Sequence, residues 1–391
     1  MTDLIRRRTI FFVGGYDPKS PDAFFARMGR EMDRFRKLWG IESSVSSVSV
    51  SEDGAVGTVS IESGEGTGAP RWTTSTEFNF LVLDSLVLAD FARPLPVRLA
   101  KYLAAFADFV ITGTAFRMFA KAWRFGLYFL FPFGMIVLFA LAGWLAGRLA
   151  APWLGWGAAP VGLGVFAAAQ AVLGRRWPVN HLMDLWSFSS AFIRGRRPAA
   201  EALMRRFARA VVEQTRQSGP QELVLVGHST GGLLILDIAA RALKLDPELA
   251  GRIDRVAILT LGSTALKAGL HPAAQSFRDG VRRLSDDGRI AWIEVQCLTD
   301  VINFYKSNPV ADMGLPARTD FPLVRQVRMK EMLEDEAYRR IRRNFFRVHY
   351  QYIFGNTKRF WYDFFQICCG PVPLMERGER RIVGAMESAA E

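Results

Sequence analysis

Residues 125–174 carry a single charged side chain, Arg148, in a stretch of 50 residues. The first part, residues 125–147, has no charge at all. A helix rises about 1.5 Å per residue, so these 23 residues would cover the roughly 30 Å hydrocarbon core of a bilayer. Residues 153–174 are also uncharged and contain a proline and several glycines, which membrane helices tolerate better than soluble ones. We therefore predict a transmembrane hairpin with helices at about 125–147 and 153–174, joined by residues 148–152.

The residues beside these segments support the hairpin and give it an orientation. Tryptophans lie near the predicted helix ends, as in aromatic belts: Trp123, Trp144, Trp153, Trp156 and Trp177. The flanks carry the basic residues Arg117, Lys121, Arg124, Arg175 and Arg176. By the positive-inside rule, both chain ends and the domain outside the hairpin then face the cytoplasm. The alternative, a buried pair of core helices, is disfavoured because a globular helix of this length rarely lacks a polar face.

The net charge of +12 at pH 7 indicates an anionic partner, either nucleic acid or an anionic membrane surface. Basic residues gather near the predicted spans, which favours lipid, and we expect no nucleic-acid partner. Residues 92–124 are amphipathic and basic and are predicted to lie at the membrane interface, with a helix packed on the sheet as the alternative. Three cysteines are too few for a disulfide framework and indicate a reducing compartment. The sequence has no metal-ligand or nucleotide-binding pattern, so neither a metal nor a cofactor is expected.

Strand and helix patterns alternate on both sides of the hairpin. Residues 9–13 form a continuous apolar run, as in a strand covered on both faces, and capping residues bound a helix over Pro21–Trp39. Asp53-Gly54, within alternating residues 45–61, predicts a β-hairpin. Further strands are predicted at 78–83, 223–226, 256–261, 290–298 and 323–329, and helices at 198–218 and 230–245. The alternation predicts an α/β fold with a mostly parallel sheet flanked by helices.

The hairpin is predicted to be inserted into this fold. Residues 1–91 and 179–391 would form the two parts of one domain, and residues 92–178 the membrane-associated insertion. Residues 358–369 are aromatic and basic, and they are expected either to dip into the membrane interface or to pack in the core. For Cys368 and Cys369 we expect two buried thiols and not acylation sites.

The pentapeptide Gly227-His228-Ser229-Thr230-Gly231 matches G-x-S-x-G. An apolar strand pattern precedes it directly and an apolar helix pattern follows it, which is the context that a nucleophile elbow requires. The serine would sit at the apex of a tight turn, at a helix N-terminus whose dipole and free N–H groups favour an oxyanion. We predict that Ser229 is a nucleophile; the alternative is a serine in an ordinary turn between a strand and a helix.

In these residues the sequence resembles the α/β-hydrolase superfamily of serine esterases and lipases, over most of the chain outside the insertion. The resemblance implies that the catalytic acid and then the histidine follow the serine along the chain. It implies an acid just after a later strand, and Asp300 follows the apolar run 290–298. Asp312 is the substitute, whereas Asp286 and Asp287 precede that strand and would lie at the wrong edge of a parallel sheet.

The catalytic base should be a histidine, whose ordinary pKa of about 6.5 lets it accept and return a proton near neutral pH. The chain has four histidines. His228 lies inside the turn and cannot fold back onto the serine, His181 precedes the nucleophile, and His271 precedes the predicted acid. His349 follows Asp300, so the order that the family implies selects His349 as the base.

The resemblance also implies an oxyanion hole of two backbone N–H groups. One would come from Thr230, the residue after the nucleophile, and the other from Gly15 or Tyr16, in the loop after the first strand. The sequence departs from the family in one respect. The chain starts almost at this strand, so the family's first two strands are missing or are replaced by the 45–61 hairpin.

These features predict a membrane-anchored serine hydrolase that cleaves a carboxylic ester through an acyl-enzyme. The insertion alone suggests a lipid or other long-chain ester, which it could deliver from the bilayer. Two alternatives stay open from the sequence. One is an acyltransferase with the same triad, in which another hydroxyl replaces water. The other is a non-catalytic membrane scaffold that keeps the hydrolase fold.

Overall fold

The computed structural model describes residues 4–66, 71–316 and 318–384. The chain divides into two compact units, one built from Met1–Val87 with Pro198–Glu391 and the other from Leu88–Arg197. The strands of the described residues all belong to the first unit, and they form one sheet. The second unit is helical.

The sheet is mixed and mostly parallel. Its strands are β1 (Arg7–Val13), β2 (Ile41–Val45), β3 (Ser49–Val50), β4 (Val56–Glu65), β5 (Thr73–Leu81), β6 (Glu222–His228), β7 (Arg255–Leu261), β8 (Ile290–Cys297) and β9 (Leu323–Val327). They lie in the order β2-β4-β5-β1-β6-β7-β8-β9, with β3 paired to β4. The pairings from β5 to β9 along this order are parallel, whereas β4 pairs with β2, β3 and β5 in the antiparallel sense. The predicted α/β class is confirmed.

Helices occur along the described chain from Pro21 to Arg380. They are α1 (Pro21–Trp39), α2 (Asp84–Phe91), α3 (Leu95–Ile111), α4 (Thr114–Lys121), α5 (Trp123–Leu154), α6 (Ala158–Arg176), α7 (Val179–Ile193), α8 (Pro198–Ser218), α9 (Thr230–Leu245), α10 (Leu266–Gly269), α11 (Gln275–Asp286), α12 (Pro309–Asp312), α13 (Met329–Met332), α14 (Asp335–Ile341), α15 (Phe345–Tyr350), α16 (Phe364–Cys369) and α17 (Leu374–Arg380). The predicted bounds of α1 are confirmed: Ser20 Oγ caps it, and Gly40 ends it at a φ of 66°.

Helices cover both faces of the sheet. On one face, the ring of Phe12 in β1 lies 5.3 Å from that of Phe24 in α1 and 6.0 Å from that of Phe364 in α16. Helices α8 and α9 contact β1, and α9 also contacts β6. Successive strand residues point to opposite faces, and Phe11 and Phe12 are both buried. This two-sided cover explains the continuous apolar run of β1 in the sequence.

Strand β5 begins earlier than the predicted strand at 78–83. Its first half is polar, yet two of its side chains, Thr74 and Thr76, are buried and hydrogen-bonded. Thr74 Oγ1 donates to the carbonyl of Ile5, and Thr76 Oγ1 donates to that of Cys368, each at 2.8 Å. Hydropathy alone does not reveal a strand whose buried side chains are threonines. The hairpin predicted within 45–61 forms between β3 and β4.

Residues 358–369 contribute to the core of the first unit. Phe364, Phe365, Cys368 and Cys369 are buried among the aromatic and aliphatic side chains of the sheet face that α1 covers. Of the two expectations for this segment, the one that placed it at a membrane interface is therefore wrong. The expectation of two buried thiols is confirmed, since both cysteines are free and fully buried.

In the second unit, α5 and α6 pack against each other at their glycines. A Cβ on Gly143 would lie 2.6 Å from the carbonyl oxygen of Gly162, and one on Gly147 would lie 3.2 Å from that of Ala158. Helix α5 runs past the predicted end at residue 147, and residues 148–152 are helical and not a linker. The helix ends where Gly155 adopts a φ of 53°, which a residue with a side chain rarely takes.

One helical stretch of the described residues, Trp123–Arg176, is long and apolar enough to cross a membrane by its length and composition. The preceding pair α3 and α4 passes the same test only as a segment bent by 71°. Helix α3 packs against α7, where Arg98 pairs with Asp184 at 2.5 Å. The sequence analysis assigned α7 to the C-terminal part of the first domain, whereas the second unit extends to Arg197.

Glu294 of β8 gives this fold a specific pH dependence. Its carboxyl is buried and accepts a hydrogen bond from the Thr260 hydroxyl, and burial raises its pKa from 4.5 to about 8. Between these values the folded chain holds a proton that the unfolded chain has released. The free energy of unfolding should therefore fall as the pH rises from about 5 to 8, with a slope approaching about 1.4 kcal/mol per pH unit.

Glu294→Gln should remove this contribution, so the variant should gain stability over the unmodified protein as the pH rises. Denaturant unfolding across this pH range measures the difference, with the exposed Glu52→Gln as the matched control. Parallel pH profiles for the Glu294→Gln variant and the unmodified protein would contradict a protonated Glu294.

Candidate active site

Ser229 lies in a sharp turn between β6 and α9. Strand β6 ends at His228 and α9 begins at Thr230, so a single residue makes the connection. Ser229 has φ 62° and ψ −123°, a conformation that is strained for any residue with a side chain. Its N–H donates to the carbonyl of Leu261 at 3.0 Å, which fixes the turn to the end of β7. The strand, turn and helix predicted around Ser229 are therefore present.

Both glycines of the motif are required by close backbone packing. A Cβ on Gly227 would lie 2.3 Å from the carbonyl oxygen of Gly231. A Cβ on Gly231 would lie 2.1 Å from the carbonyl oxygen of Val13, the last residue of β1. Real Cβ atoms do not approach other atoms this closely, so only glycine lets the strand, the helix and the loop after β1 meet here.

Asp300 and His349 form a buried hydrogen bond. Asp300 Oδ2 accepts from His349 Nδ1 at 2.8 Å, and the two side chains are 0% and 4% exposed. The other oxygen, Asp300 Oδ1, accepts from the N–H of Ile302 at 2.9 Å, which fixes the carboxylate just beyond β8. With Nδ1 bound to the aspartate, His349 presents Nε2, which is buried and has no hydrogen-bond partner.

Gly262 connects this pair to the serine turn. It follows Leu261, which accepts the Ser229 N–H, and a Cβ on it would lie 3.1 Å from Asp300 Oδ2 and 3.2 Å from His349 Cε1. One residue at the end of β7 thus lies between the serine turn and the Asp–His pair. The structure brings the three predicted residues to the same edge of the sheet. No hydrogen bond joins Ser229 to His349 Nε2, which has no partner in this structure. Such a bond between serine and imidazole often forms only when substrate binds.

His228 has a second role that the sequence analysis missed. Its Nε2 donates to the backbone carbonyl of His349 at 2.9 Å, and the two rings lie 4.6 Å apart. Burial lowers the pKa of His228 well below its ordinary value, so the ring is neutral and can donate from only one nitrogen. His228 therefore holds the backbone that carries the imidazole. These two residues are 121 positions apart, and no local pattern links them.

The predicted oxyanion residues lie beside the serine. Thr230 is the first residue of α9, and Tyr16 is buried in the loop after β1. Gly15, in the same loop, is close to the nucleophile: a Cβ on it would lie 3.3 Å from Ser229 Cβ and 3.4 Å from Ser229 Oγ. The structure therefore places the loop after β1 and the start of α9 on either side of Ser229.

A buried lysine supports the Thr230 side of this arrangement. Lys267 of α10 is 1% exposed, and its Nζ donates to Thr230 Oγ1 at 3.1 Å. Burial lowers the pKa of Lys267 from 10.5 to about 7. When protonated, this amine adds positive potential near the first helical N–H, where an oxyanion would form. Lys267 could not be recognised from the sequence, because it lies 37 positions after Thr230 in an otherwise apolar segment.

The alternative candidates lie in other surroundings. Asp312 Oδ2 accepts from the N–H of Asn308 at 3.0 Å, at the start of α12. Asp286 and Asp287 lie at the end of α11, before β8. His181 packs its ring on Phe91, and His271 accepts the N–H of Ala273. Asp300 and His349 are the pair of predicted acid and base that the structure joins by a hydrogen bond.

Metal chemistry is not indicated by the donor groups that the structure describes. Across residues 4–66, 71–316 and 318–384, no three His, Cys, Asp or Glu side chains are grouped so that they could hold a metal ion.

Comparison with models of known protein families, with curated proteins and with solved structures finds no match.

Gly15 and Gly14 offer a matched test of this geometry. An alanine at position 15 would crowd Ser229 and displace the loop, whereas one at position 14 would make only an ordinary contact with the ring of Phe12, at 3.8 Å. We expect Gly15→Ala to slow the labelling of Ser229 by a fluorophosphonate about tenfold or more, and Gly14→Ala to leave it nearly unchanged. Equal labelling rates for both variants would contradict the placement of Gly15 at the reacting oxygen.

Proposed function

We propose that this protein is a membrane-anchored serine hydrolase that cleaves carboxylic esters through an acyl-enzyme. The observation that carries the proposal is the buried 2.8 Å hydrogen bond between His349 Nδ1 and Asp300 Oδ2. It stands at the same sheet edge as the strained turn of Ser229. Each feature is costly, since one buries a carboxylate and the other strains the backbone.

In the proposed reaction, Ser229 Oγ attacks the ester carbonyl while His349 Nε2 takes the hydroxyl proton. Asp300 keeps the proton of His349 on Nδ1 and stabilises the imidazolium that forms. The negative charge on the carbonyl oxygen is held by the N–H of Thr230 and by the N–H of Gly15 or Tyr16. His349 then returns the proton to the leaving alcohol, and the same steps with water release the acid.

Two features of the sheet support an α/β-hydrolase fold for the first unit. The serine turn follows β6, which lies between β1 and β7 inside the parallel part of the sheet. The loop after β1 then reaches the turn from the neighbouring strand, as the family's oxyanion loop would. The antiparallel strands β2 and β4 lie beyond β5, at the edge where the family's first strands would be replaced.

Exposed apolar side chains support a membrane location for α5 and α6. Leu138, Leu141 and Trp144 of α5 are 52%, 56% and 64% exposed, whereas a core helix buries such residues. Basic residues lie at the outer ends of the pair. Lys121 lies just before α5, Arg124 is in its first turn, and Arg175 and Arg176 are in the last turn of α6. We infer that α5 and α6 form a membrane hairpin and that the chain on either side lies in the cytoplasm.

The catalytic assignment predicts how single and double variants compare. Ser229→Ala and His349→Ala should each lower kcat on a soluble ester by at least about a thousandfold, and the double variant should be hardly worse, because triad members act as a unit. Turnover of p-nitrophenyl butyrate measures this, with circular dichroism to check the fold. The matched control is His271→Ala, which should retain activity. Near-normal turnover by His349→Ala would refute the base assignment.

Product analysis of the same reaction, with and without an added alcohol, separates hydrolysis from acyl transfer. Release of the free acid in the presence of alcohol supports the hydrolase. If the acyl group goes mainly to the alcohol, the protein is an acyltransferase.

The membrane assignment predicts the result of removing the second unit. Arg197 Nη1 and Asp90 Oδ1 lie 2.6 Å apart, so a short Gly/Ser linker can replace residues 92–196. The shortened protein should be soluble without detergent and should still hydrolyse p-nitrophenyl butyrate, because no proposed catalytic group is removed. Its Ser229→Ala counterpart is the control for residual activity. A shortened protein that still partitions into membranes would contradict the anchor.

Esters of different chain length test whether the hairpin also delivers substrate. If it does, removal of residues 92–196 should lower activity on long-chain, bilayer-dissolved esters far more than on butyrate. If the shortened protein retains the same share of its activity on both kinds of ester, the hairpin serves only as a membrane anchor.

A further inference from the structure

A narrow cleft lies against the loop after β1, and its walls adjoin the proposed catalytic groups. Gly15 lines it, and so do His228, the residue before Ser229, and Tyr350, the residue after His349. Arg27 of α1 and Lys19 also line the cleft. A substrate held at Ser229 would therefore have this cleft beside it.

Arg27 brings a rigid, half-buried cation to the cleft. Its guanidinium lies 5.4 Å from the ring centroid of Phe24, 5.7 Å from that of Tyr350 and 5.5 Å from that of Phe354. Three aromatic rings fix its position but leave its N–H groups to find acceptors. Among the described residues, Arg27 makes neither a hydrogen bond nor an ion pair. Burial lowers the pKa of Arg27, which is the mark of a cation that protein carboxylates do not fully compensate.

The nearby carboxylates are already bound to other groups. Asp17 Oδ2 accepts from the Tyr350 hydroxyl at 2.7 Å and pairs with Lys19 Nζ at 3.0 Å. Glu31, one turn along α1, pairs with Arg34 at 2.8 Å and accepts the N–H of Gly355 at 3.0 Å. A third carboxylate, Asp84, accepts the N–H of Lys19 at 2.5 Å. None of these three carboxylates is bound to Arg27, so its guanidinium keeps its N–H donors for a ligand.

The positive charge of Arg27 also affects the pKa of a residue in the serine turn, His228. The pKa of His228 is held down first by burial, then by His349, and in part by the positive charge of Arg27. The guanidinium is thus close enough to affect the residue that precedes Ser229. An anion bound at Arg27 would lie in the cleft that Gly15 and His228 also line.

We propose that this cleft is a subsite for an anionic oxygen group of the substrate, a carboxylate or a phosphate, and that the guanidinium of Arg27 binds it. The proposal rests on the hydrolase function and narrows its substrates to carboxylic esters that carry a second, acidic group. A planar guanidinium presents two parallel N–H donors, which match two oxygens of a carboxylate or phosphate. The rings beneath it hold the fork in place, so little side-chain entropy is lost on binding.

Paired substrates test the subsite through turnover. The unmodified full-length protein and Arg27→Met are compared on p-nitrophenyl valerate and on mono-p-nitrophenyl glutarate, which differ in a terminal carboxylate. The ratio of kcat/KM for the glutarate to that for the valerate should fall about tenfold or more in Arg27→Met. Arg30→Met, which removes an exposed arginine from the same helix, is the matched control and should keep the ratio. An unchanged ratio in Arg27→Met overturns the subsite.

A binding measurement separates failure of the subsite from failure of the hydrolase function. Calorimetric titration of the unmodified protein and of Arg27→Met with glutarate and with inorganic phosphate needs no turnover. Binding that Arg27→Met loses supports the subsite even if neither ester is cleaved. The anion that binds more tightly then identifies the anionic group of the substrate as a carboxylate or a phosphate. If the esters are cleaved but neither anion binds, the hydrolase function is supported and the anionic subsite is refuted.

Discussion

The close contact between Gly231 and the carbonyl oxygen of Val13 is the constraint on which the site depends. A Cβ at position 231 would lie 2.1 Å from that oxygen, so the missing side chain lets the loop after β1 touch the start of α9. This contact places Gly15 against Ser229. Without it, the proposed oxyanion donors and the proposed nucleophile would belong to separate parts of the sheet edge. The strained φ of Ser229 follows from the same tight connection.

Buried hydrogen bonds then fix the base relative to the serine. Asp300 holds Nδ1 of His349, and His228 holds the backbone carbonyl of the same residue. The base is thus positioned through both its side chain and its main chain, and its Nε2 is left without a partner. Lys267 supports the oxyanion side through the Thr230 hydroxyl. Each of these contacts removes a polar group from water, a cost that is more easily understood at a functional site than in a structural core.

Part of this arrangement could be predicted from the sequence because it is local or follows from chain order. The G-x-S-x-G turn is local, since strand, turn and helix are consecutive. The pairing of Asp300 with His349 was chosen from the order that the family implies, and the structure joins these two by a hydrogen bond. The mostly parallel sheet was likewise predictable from the alternation of strand and helix patterns.

The remaining contacts depend on packing between distant residues. The contacts of His228 with His349 and of Asp17 with Tyr350 join residues 121 and 333 positions apart. The predicted end of α5 at residue 147 follows from the end of the uncharged run at Arg148, whereas the helix continues through Arg148 and Pro152 and breaks only at Gly155. The polar start of β5 was missed because its threonines are buried through hydrogen bonds that only the folded sheet supplies.

The central claim is that Ser229 carries an acyl group during turnover. It is tested most directly by rapid quenching of the full-length protein mixed with p-nitrophenyl butyrate, followed by mass analysis of its peptides. We expect a burst of p-nitrophenol close to one equivalent of protein and a butyryl group on the peptide that contains Ser229. A butyryl group on another residue, or ester turnover with no acylated peptide at any quench time, would contradict it.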